Sequence, residues 1–261
     1  MPSLTYEGFD KVDVVIEAIV EDVAVKHKVL REIEALTSPS TILASNTSSL
    51  QIGALAEALQ RPENFLGMHF FNPVPKMPLV EVVRGPKTSP EAIASVTGYA
   101  AAMGKTPIVV EDCPGFVVNR ILTPYLIAFL RLVHDGANFV EIDKAMESFG
   151  WPMGPAYLID VIGMDISQHV VEIVSAGFAP RMDVTFETAI ELLLRAGRLG
   201  QKNGHGFYKY QTDAKGRPRK EIDPETERLL AAGQPNGKTG FGEEDIVARM
   251  MLPLILSLIH I

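Results

Sequence analysis

VDVVIEAI, Val12 to Ile19, is followed by a charged segment from Glu21 to Leu36 and then by TILASN, Thr41 to Asn46. QIGALAEAL, Gln51 to Leu59, and FLGMHFF, Phe65 to Phe71, continue the alternation. Short runs rich in Val, Ile and Phe predict strands and the segments between them predict helices, so the first third reads β-α-β-α-β. Strands apolar on both faces imply a parallel sheet covered by helices, with right-handed crossovers. LVEVVRG, from Leu79, and PIVVED, from Pro107, extend that sheet, with a helix from about Pro90 to Met103 between them. The pattern is half of a doubly wound α/β domain.

Pro114 and Gly115 mark a change of character, because the residues beyond them are patterned as helix and interrupted by Gly and Pro. VVNRILTPYLIAFLRLVHDG, from Val117, predicts a long amphipathic helix with few polar positions, buried against another helix or a partner chain. Gly150, Pro152, Gly154 and Pro155 bracket a tight helix junction, and Asp160 and Asp165 read as residues that cap or bond nearby backbone. From Gln211 to Lys220 the composition turns polar and basic. A Gly-rich loop, AAGQPNGKTGFG, precedes a last helix beginning near Glu243. The expected organisation is therefore an α/β domain over residues 1–112, a helical domain over 113–210, and a linker with a further helix over 211–261.

A chain of 261 residues with 47% hydrophobic residues can bury a sizeable core. Its formal charge of −8 argues against non-specific nucleic-acid binding, which needs a basic face, whereas a small anionic ligand needs only a local basic patch. The one cysteine, Cys113, excludes an intrachain disulfide and fits a reducing compartment, and no zinc-type cluster is present. MPSLTYEGFD lacks the basic and apolar regions of a signal peptide, and no run reaches the ~18 apolar residues of a spanning helix.

MHFFNPVPKMPLVEV, Met68 to Val82, carries the clearest chemical signal. His69 ends one buried strand and Glu81 sits inside the next, where an unpaired carboxylate would be costly. Burial demands a partner, and the two residues suit each other. An imidazole titrates near ~6.5, so a neutral base is on hand at cellular pH, and a carboxylate on its far nitrogen fixes the tautomer. Ser48 follows the strand TILASN at the carboxyl end, where open parallel sheets place ligands; taken alone it reads more readily as a turn or cap residue.

HFFNPVP followed by LVEVV resembles the signature of the L-3-hydroxyacyl-CoA dehydrogenases. VIEAIVED (Val15 to Asp22), ILASNTSSL (Ile42 to Leu50), DCPGFVVNRIL (Asp112 to Leu122) and GWPMGPAYLIDVIGMD (Gly150 to Asp165) match in the family's order. GRLGQKNGHGFYKY, from Gly197 to Tyr210, is most similar to the dehydrogenase part of the alpha subunits of bacterial fatty acid oxidation complexes, which also carry an enoyl-CoA hydratase. The resemblance implies a Rossmann-type NAD-binding domain followed by an all-α C-terminal domain, with 211–261 as the linker and start of a second helical repeat. It implies NAD-dependent oxidation of (S)-3-hydroxyacyl-CoA to 3-oxoacyl-CoA in fatty acid β-oxidation, in the bacterial cytoplasm.

By the same resemblance His69 and Glu81 form the catalytic base with Ser48 and Asn119 beside them. Ser48, Asn72 and Asn119 contact substrate, while Glu21, Lys26 and Asn46 lie near the nicotinamide end of NAD. Each asparagine is otherwise readable as a turn or cap residue, and Glu21 as an acid complementing a helix dipole. No metal is implied. The expected partners are the acyl-CoA substrate, a second copy in a homodimer and, in a longer parent, a thiolase subunit.

The sequence contains no GxGxxG turn to hold a pyrophosphate. Measured against the family, it begins just before the fourth strand of the nucleotide domain, without the phosphate loop or the acid that binds adenine ribose, so little turnover is expected from it alone. Its last residues, SLIHI, read as foreign to the family. Two other functions compete: a β-hydroxyacid dehydrogenase acting on a free acid, which would use a lysine base, and a non-catalytic acyl-CoA-binding or structural module.

Overall fold

The computed structural model describes residues 4–212 and 218–259, which form two compact units divided between Val118 and Asn119. The division falls a few residues after the expected boundary at 112/113. Residues beyond 210 belong to the second unit. Part of the basic stretch after Gln211 lies outside the described residues, as do His260 and Ile261 of the tail.

The first unit holds a five-stranded sheet ordered β1-β2-β3-β4-β5, with β1 at Val14–Glu17, β2 at Ile42–Ser45, β3 at Phe65–Phe70, β4 at Leu79–Arg84 and β5 at Thr106–Glu111. Helices α1 (Val23–Leu36), α2 (Ile52–Ala56) and α3 (Pro90–Ala102) connect them. Local chemistry starts the helices where the sequence suggests. The Asp22 carboxylate accepts from Val25 N at 2.9 Å, and Ser89 Oγ accepts from Ala92 N at 3.2 Å with Pro90 in the first turn. Lys26, Leu30 and Ile33 share the buried face of α1. One cluster joins α1 and α2 to Phe65, Val83 and Phe116, and another sets α3 on Met68, Val80 and Val82.

The apolar runs suggest a parallel sheet, but the sheet is mixed. β1, β2 and β3 are parallel, but β4 runs antiparallel to β3, and β5 is parallel to β4. Parallel neighbours need a crossover of about a dozen residues or more, and residues 71–78 form a connection with no helix in it. The reversal has a consequence for chemistry, because it sets His69 directly opposite Glu81. Gly67 lets α2 approach this pair of strands: a Cβ there would lie 2.8 Å from Val83 Cβ and 2.9 Å from Ile52 Cδ1.

The second unit contains α4 (Val118–His134, whose first residue belongs to the first unit), α5 (Phe139–Phe149), α6 (Pro155–Ile162), α7 (Met164–Gly177), α8 (Ala189–Arg195), α9 (Pro224–Ala231) and α10 (Glu243–Ile259). The unit is helical as expected, with one short hairpin added where the sequence reads as a linker. β6 (Tyr208–Thr212) and β7 (Pro218–Ile222) pair antiparallel. Alternation in YKYQT is too short and too polar to announce a strand; the hairpin forms because Asp160 holds its first residues. Tyr125, Phe129 and Leu130 of α4 pack into a core with Phe139, Ile142 and Phe207, so much of this helix's apolar surface is used within its own unit. No described helix is long and apolar enough to cross a membrane.

Two buried carboxylates organise this core. Asp143 accepts from Ala156 N at 2.8 Å, Tyr157 N at 3.2 Å and Tyr208 Oη at 2.8 Å, so it caps the start of α6. Asp160 accepts from Phe207 N at 2.8 Å, Tyr208 N at 2.9 Å and Tyr210 Oη at 2.7 Å. Asp160 thus bonds backbone distant in sequence rather than nearby. Burial pushes both carboxyls up to about 6, outweighing the hydrogen bonds that favour the charged form. A carboxyl whose folded pKa is raised contributes stability that is fully present below its unfolded value and lost as pH rises through its folded value. Between pH ~4 and ~6 the fold is therefore expected to lose on the order of 2–3 kcal/mol per group from these two sites. Side-chain ¹³C resonances of Asp143 and Asp160 should titrate near 6; midpoints near ~4, the ordinary carboxyl value, would refute this account.

Candidate active site

His69 and Glu81 meet because both belong to the interior of an antiparallel pair in register, where opposite residues project to the same side. His69 Nδ1 lies 2.7 Å from Glu81 Oε2, with His69 3% exposed and Glu81 0% exposed. The other carboxylate oxygen, Oε1, accepts from Val117 N at 3.0 Å and Val118 N at 2.9 Å. Two backbone donors on Oε1 favour the ionised carboxylate, and against an ionised Oε2 a neutral imidazole is assigned its proton on Nδ1. Nε2 is then left with its lone pair, and it faces Ser48 Oγ at 3.1 Å. The three side chains form one line: carboxylate, imidazole, hydroxyl.

Aromatic rings hold the imidazole from two sides. The Phe71 and Phe116 ring centroids lie 4.6 and 5.6 Å from that of His69. Phe116 is fully buried and holds a left-handed backbone at φ 51°, a conformation that costs a side-chain-bearing residue about 1–3 kcal/mol. The turn that places it also presents the amides of Val117 and Val118 to Glu81. Sequence reading passed over Phe116 as one apolar residue among many.

Ser48 is held from behind. Glu21 Oε1 accepts from Thr47 Oγ1 at 2.5 Å, Ser48 N at 3.0 Å, Ser49 N at 3.1 Å and Ser49 Oγ at 3.0 Å. Burial alone would raise the Glu21 carboxyl, but the Thr47 hydroxyl, the Lys26 ammonium and the Ser48 and Ser49 donors outweigh it and keep it below its ordinary value. Lys26 is 1% exposed; its Nζ donates to Glu17 Oε1 at 2.9 Å and Oε2 at 3.0 Å, and lies 3.4 Å from Glu21 Oε2. Ser45 Oγ also donates to Glu17. Glu17 was missed in the sequence, although it carries the signal that marked Glu81, a carboxylate inside a strand-like apolar run.

The remaining residues singled out in the sequence have separate places. Asn46 Oδ1 accepts from Phe70 N at 3.0 Å, which ties the end of β2 to the residue after His69. Asn72 is exposed in the connection between β3 and β4. Asn119 opens the second unit, and its carbonyl accepts from Thr123 Oγ1 at 2.8 Å. No group of three or more His, Cys, Asp or Glu side chains able to hold a metal gathers among the described residues.

Residues 2–113 match the model of the 3-hydroxyacyl-CoA dehydrogenase NAD-binding domain, and residues 115–210 match that of the same enzymes' C-terminal domain. Among solved structures, the chain is similar to (S)-3-hydroxybutyryl-CoA dehydrogenase from Ralstonia eutropha, at 41% identity and a TM-score of 0.75, over 80% of this chain and 74% of that one. It is similar to 3-hydroxybutyryl-CoA dehydrogenase from Escherichia coli at 36% identity and a TM-score of 0.75, over 80% of this chain but only 45% of the other. The dehydrogenase part of multifunctional enzyme 1 from C. elegans matches 95% of this chain at 30% identity and a TM-score of 0.63, with 55% of that chain covered.

Proposed function

Because the chain belongs to the 3-hydroxyacyl-CoA dehydrogenase family, whose N-terminal domain binds NAD, we propose that His69 is the base of an NAD-dependent oxidation of (S)-3-hydroxyacyl-CoA to 3-oxoacyl-CoA. The observation that carries the reading is the buried line from Glu81 through His69 to Ser48. Nε2 takes the hydroxyl proton of the substrate, Ser48 Oγ bonds the substrate oxygen, and Glu81 stabilises the imidazolium that forms. Asn72 and Asn119 are carried as substrate contacts by resemblance.

Glu21 and Asn46 follow the carboxyl ends of β1 and β2, where open α/β sheets receive ligands, and Lys26 reaches from α1 to Glu21, so these are the residues that would hold the nicotinamide end of NAD. Among the described residues no GxGxxG turn addresses the pyrophosphate. NAD held there would supply the hydride acceptor for carbon 3. The polypeptide's part is to hold the substrate oxygen and move its proton.

We place the reaction in fatty acid β-oxidation, in the bacterial cytoplasm, with a homodimer as the assembly and a thiolase subunit as partner of a longer parent. Support for this comes from the likeness of Gly197–Tyr210 to multifunctional oxidation enzymes and from the C. elegans multifunctional relative. Acetoacetyl-CoA binding followed by fluorescence, alongside NADH oxidation followed by absorbance, tests the assignment. Binding with slow but measurable turnover is the expected result, since no GxGxxG turn is present to hold the pyrophosphate. Binding with no turnover would favour an acyl-CoA-binding module, and neither would remove the proposal.

A further inference from the structure

Lys26 and Glu17 form a buried ion pair that does not touch His69. Taking two charges out of water costs several kcal/mol per ion, and a hydrophobic pair of similar volume often serves stability as well. Its connections point to another use. Lys26 Nζ joins Glu17 on β1 to Glu21, and it also lies 3.4 Å from the Ile19 carbonyl. Glu21 in turn gathers the Ser48 and Ser49 amides and the Thr47 and Ser49 hydroxyls on a single oxygen. Thr47 Oγ1 passes the constraint on by accepting from Leu50 N at 2.9 Å. Glu17 fixes the other end of the loop through Ser45 Oγ, which accepts from Thr47 N at 3.3 Å. The loop that carries Ser48 therefore has two carboxylates behind it, and one ammonium holds both.

We propose that Lys26, together with Glu17, is a positioning residue for the reaction: it orients the Glu21 carboxylate that clamps the Thr47–Ser49 loop, and so sets the Ser48 hydroxyl against His69 Nε2. This deepens the proposed dehydrogenase function and rests on His69 and Ser48 being the reacting pair. Lys26 acts through Glu21 and Ser48, whatever contact it also makes to a cofactor.

The test uses the full chain with ¹⁵N-labelled histidine. The His69 Nε2 resonance is expected to move in Ser48→Ala, which removes its hydroxyl partner, and to move in the same sense in Lys26→Met. The double variant Glu17→Gln/Lys26→Met removes both charges of the pair and keeps the measurement possible if the single variant fails to fold. Turnover should fall about tenfold in Lys26→Met, a fraction of the ~10²–10⁴ that a positioned base supplies, with KM for acetoacetyl-CoA nearly unchanged. Combined with Ser48→Ala, Lys26→Met should cost little more, because both act on the same contact. A Nε2 resonance unchanged in the folded charge-removed variants but shifted in Ser48→Ala would overturn the proposal. If the wild-type chain neither binds acetoacetyl-CoA nor turns it over while the resonance still responds to Lys26→Met, the positioning of Ser48 stands and the dehydrogenase reading fails.

Discussion

Replacing His69 with glutamine is expected to lower turnover by about 10²–10⁴, the range a positioned general base contributes, while leaving acetoacetyl-CoA affinity within a few-fold. Glutamine is close in length and can donate to Glu81, so it preserves much of the buried hydrogen bonding that His69 provides through Nδ1. It cannot take up a proton at neutral pH. Steady-state kinetics with NADH oxidation separate the two contributions, since a residue that merely fills the core would change the unfolding midpoint and spare kcat. Turnover retained within a few-fold in a folded His69→Gln chain would remove the base assignment.

Glu81→Ala is expected to be damaging in a second way. Glu81 accepts from three donors: His69 Nδ1 and the amides of Val117 and Val118. Truncation leaves all three buried without an acceptor, and each unsatisfied donor costs about 1–3 kcal/mol. A loss of at least about 3 kcal/mol in unfolding free energy should therefore accompany the loss of activity. Glu81→Gln separates these effects. Its amide oxygen still accepts from the backbone, while its NH₂ group faces Nδ1 and forces that nitrogen to become the acceptor. The proton then sits on Nε2, so the lone pair that would take the substrate proton is gone. Chemical denaturation should find Glu81→Gln considerably more stable than Glu81→Ala, with turnover low in both. High turnover in Glu81→Gln would show that the tautomer does not matter.

Much of this was legible in the residues themselves. VDVVIEAI, TILASN and FLGMHFF announced three strands, and each is present. The pairing of His69 with Glu81 was inferable from cost alone, because a carboxylate in LVEVV has to find a partner. Other features were not legible for definite reasons. Lys26 looks like any helix lysine, and only the fold reveals that it is 1% exposed between two carboxylates. Phe116 is ordinary in sequence but special in backbone conformation, which depends on the turn around it. The β6–β7 hairpin forms where Asp160 bonds the amides of Phe207 and Tyr208, a long-range contact that no local pattern encodes.

Sequence alone determined the supply of parts: apolar runs of strand length, a histidine and a glutamate that burial would force to pair, and a serine at a strand end. Those follow from periodicity and desolvation, which act over a few residues. Tertiary structure decided how the parts are aimed. The antiparallel turn of β4 onto β3 put His69 and Glu81 in register, and the amides after Phe116 occupied Glu81 Oε1, leaving Oε2 to the imidazole. The proton's place on the imidazole follows from those long-range bonds, since a tautomer is set by whatever partner the opposite nitrogen meets.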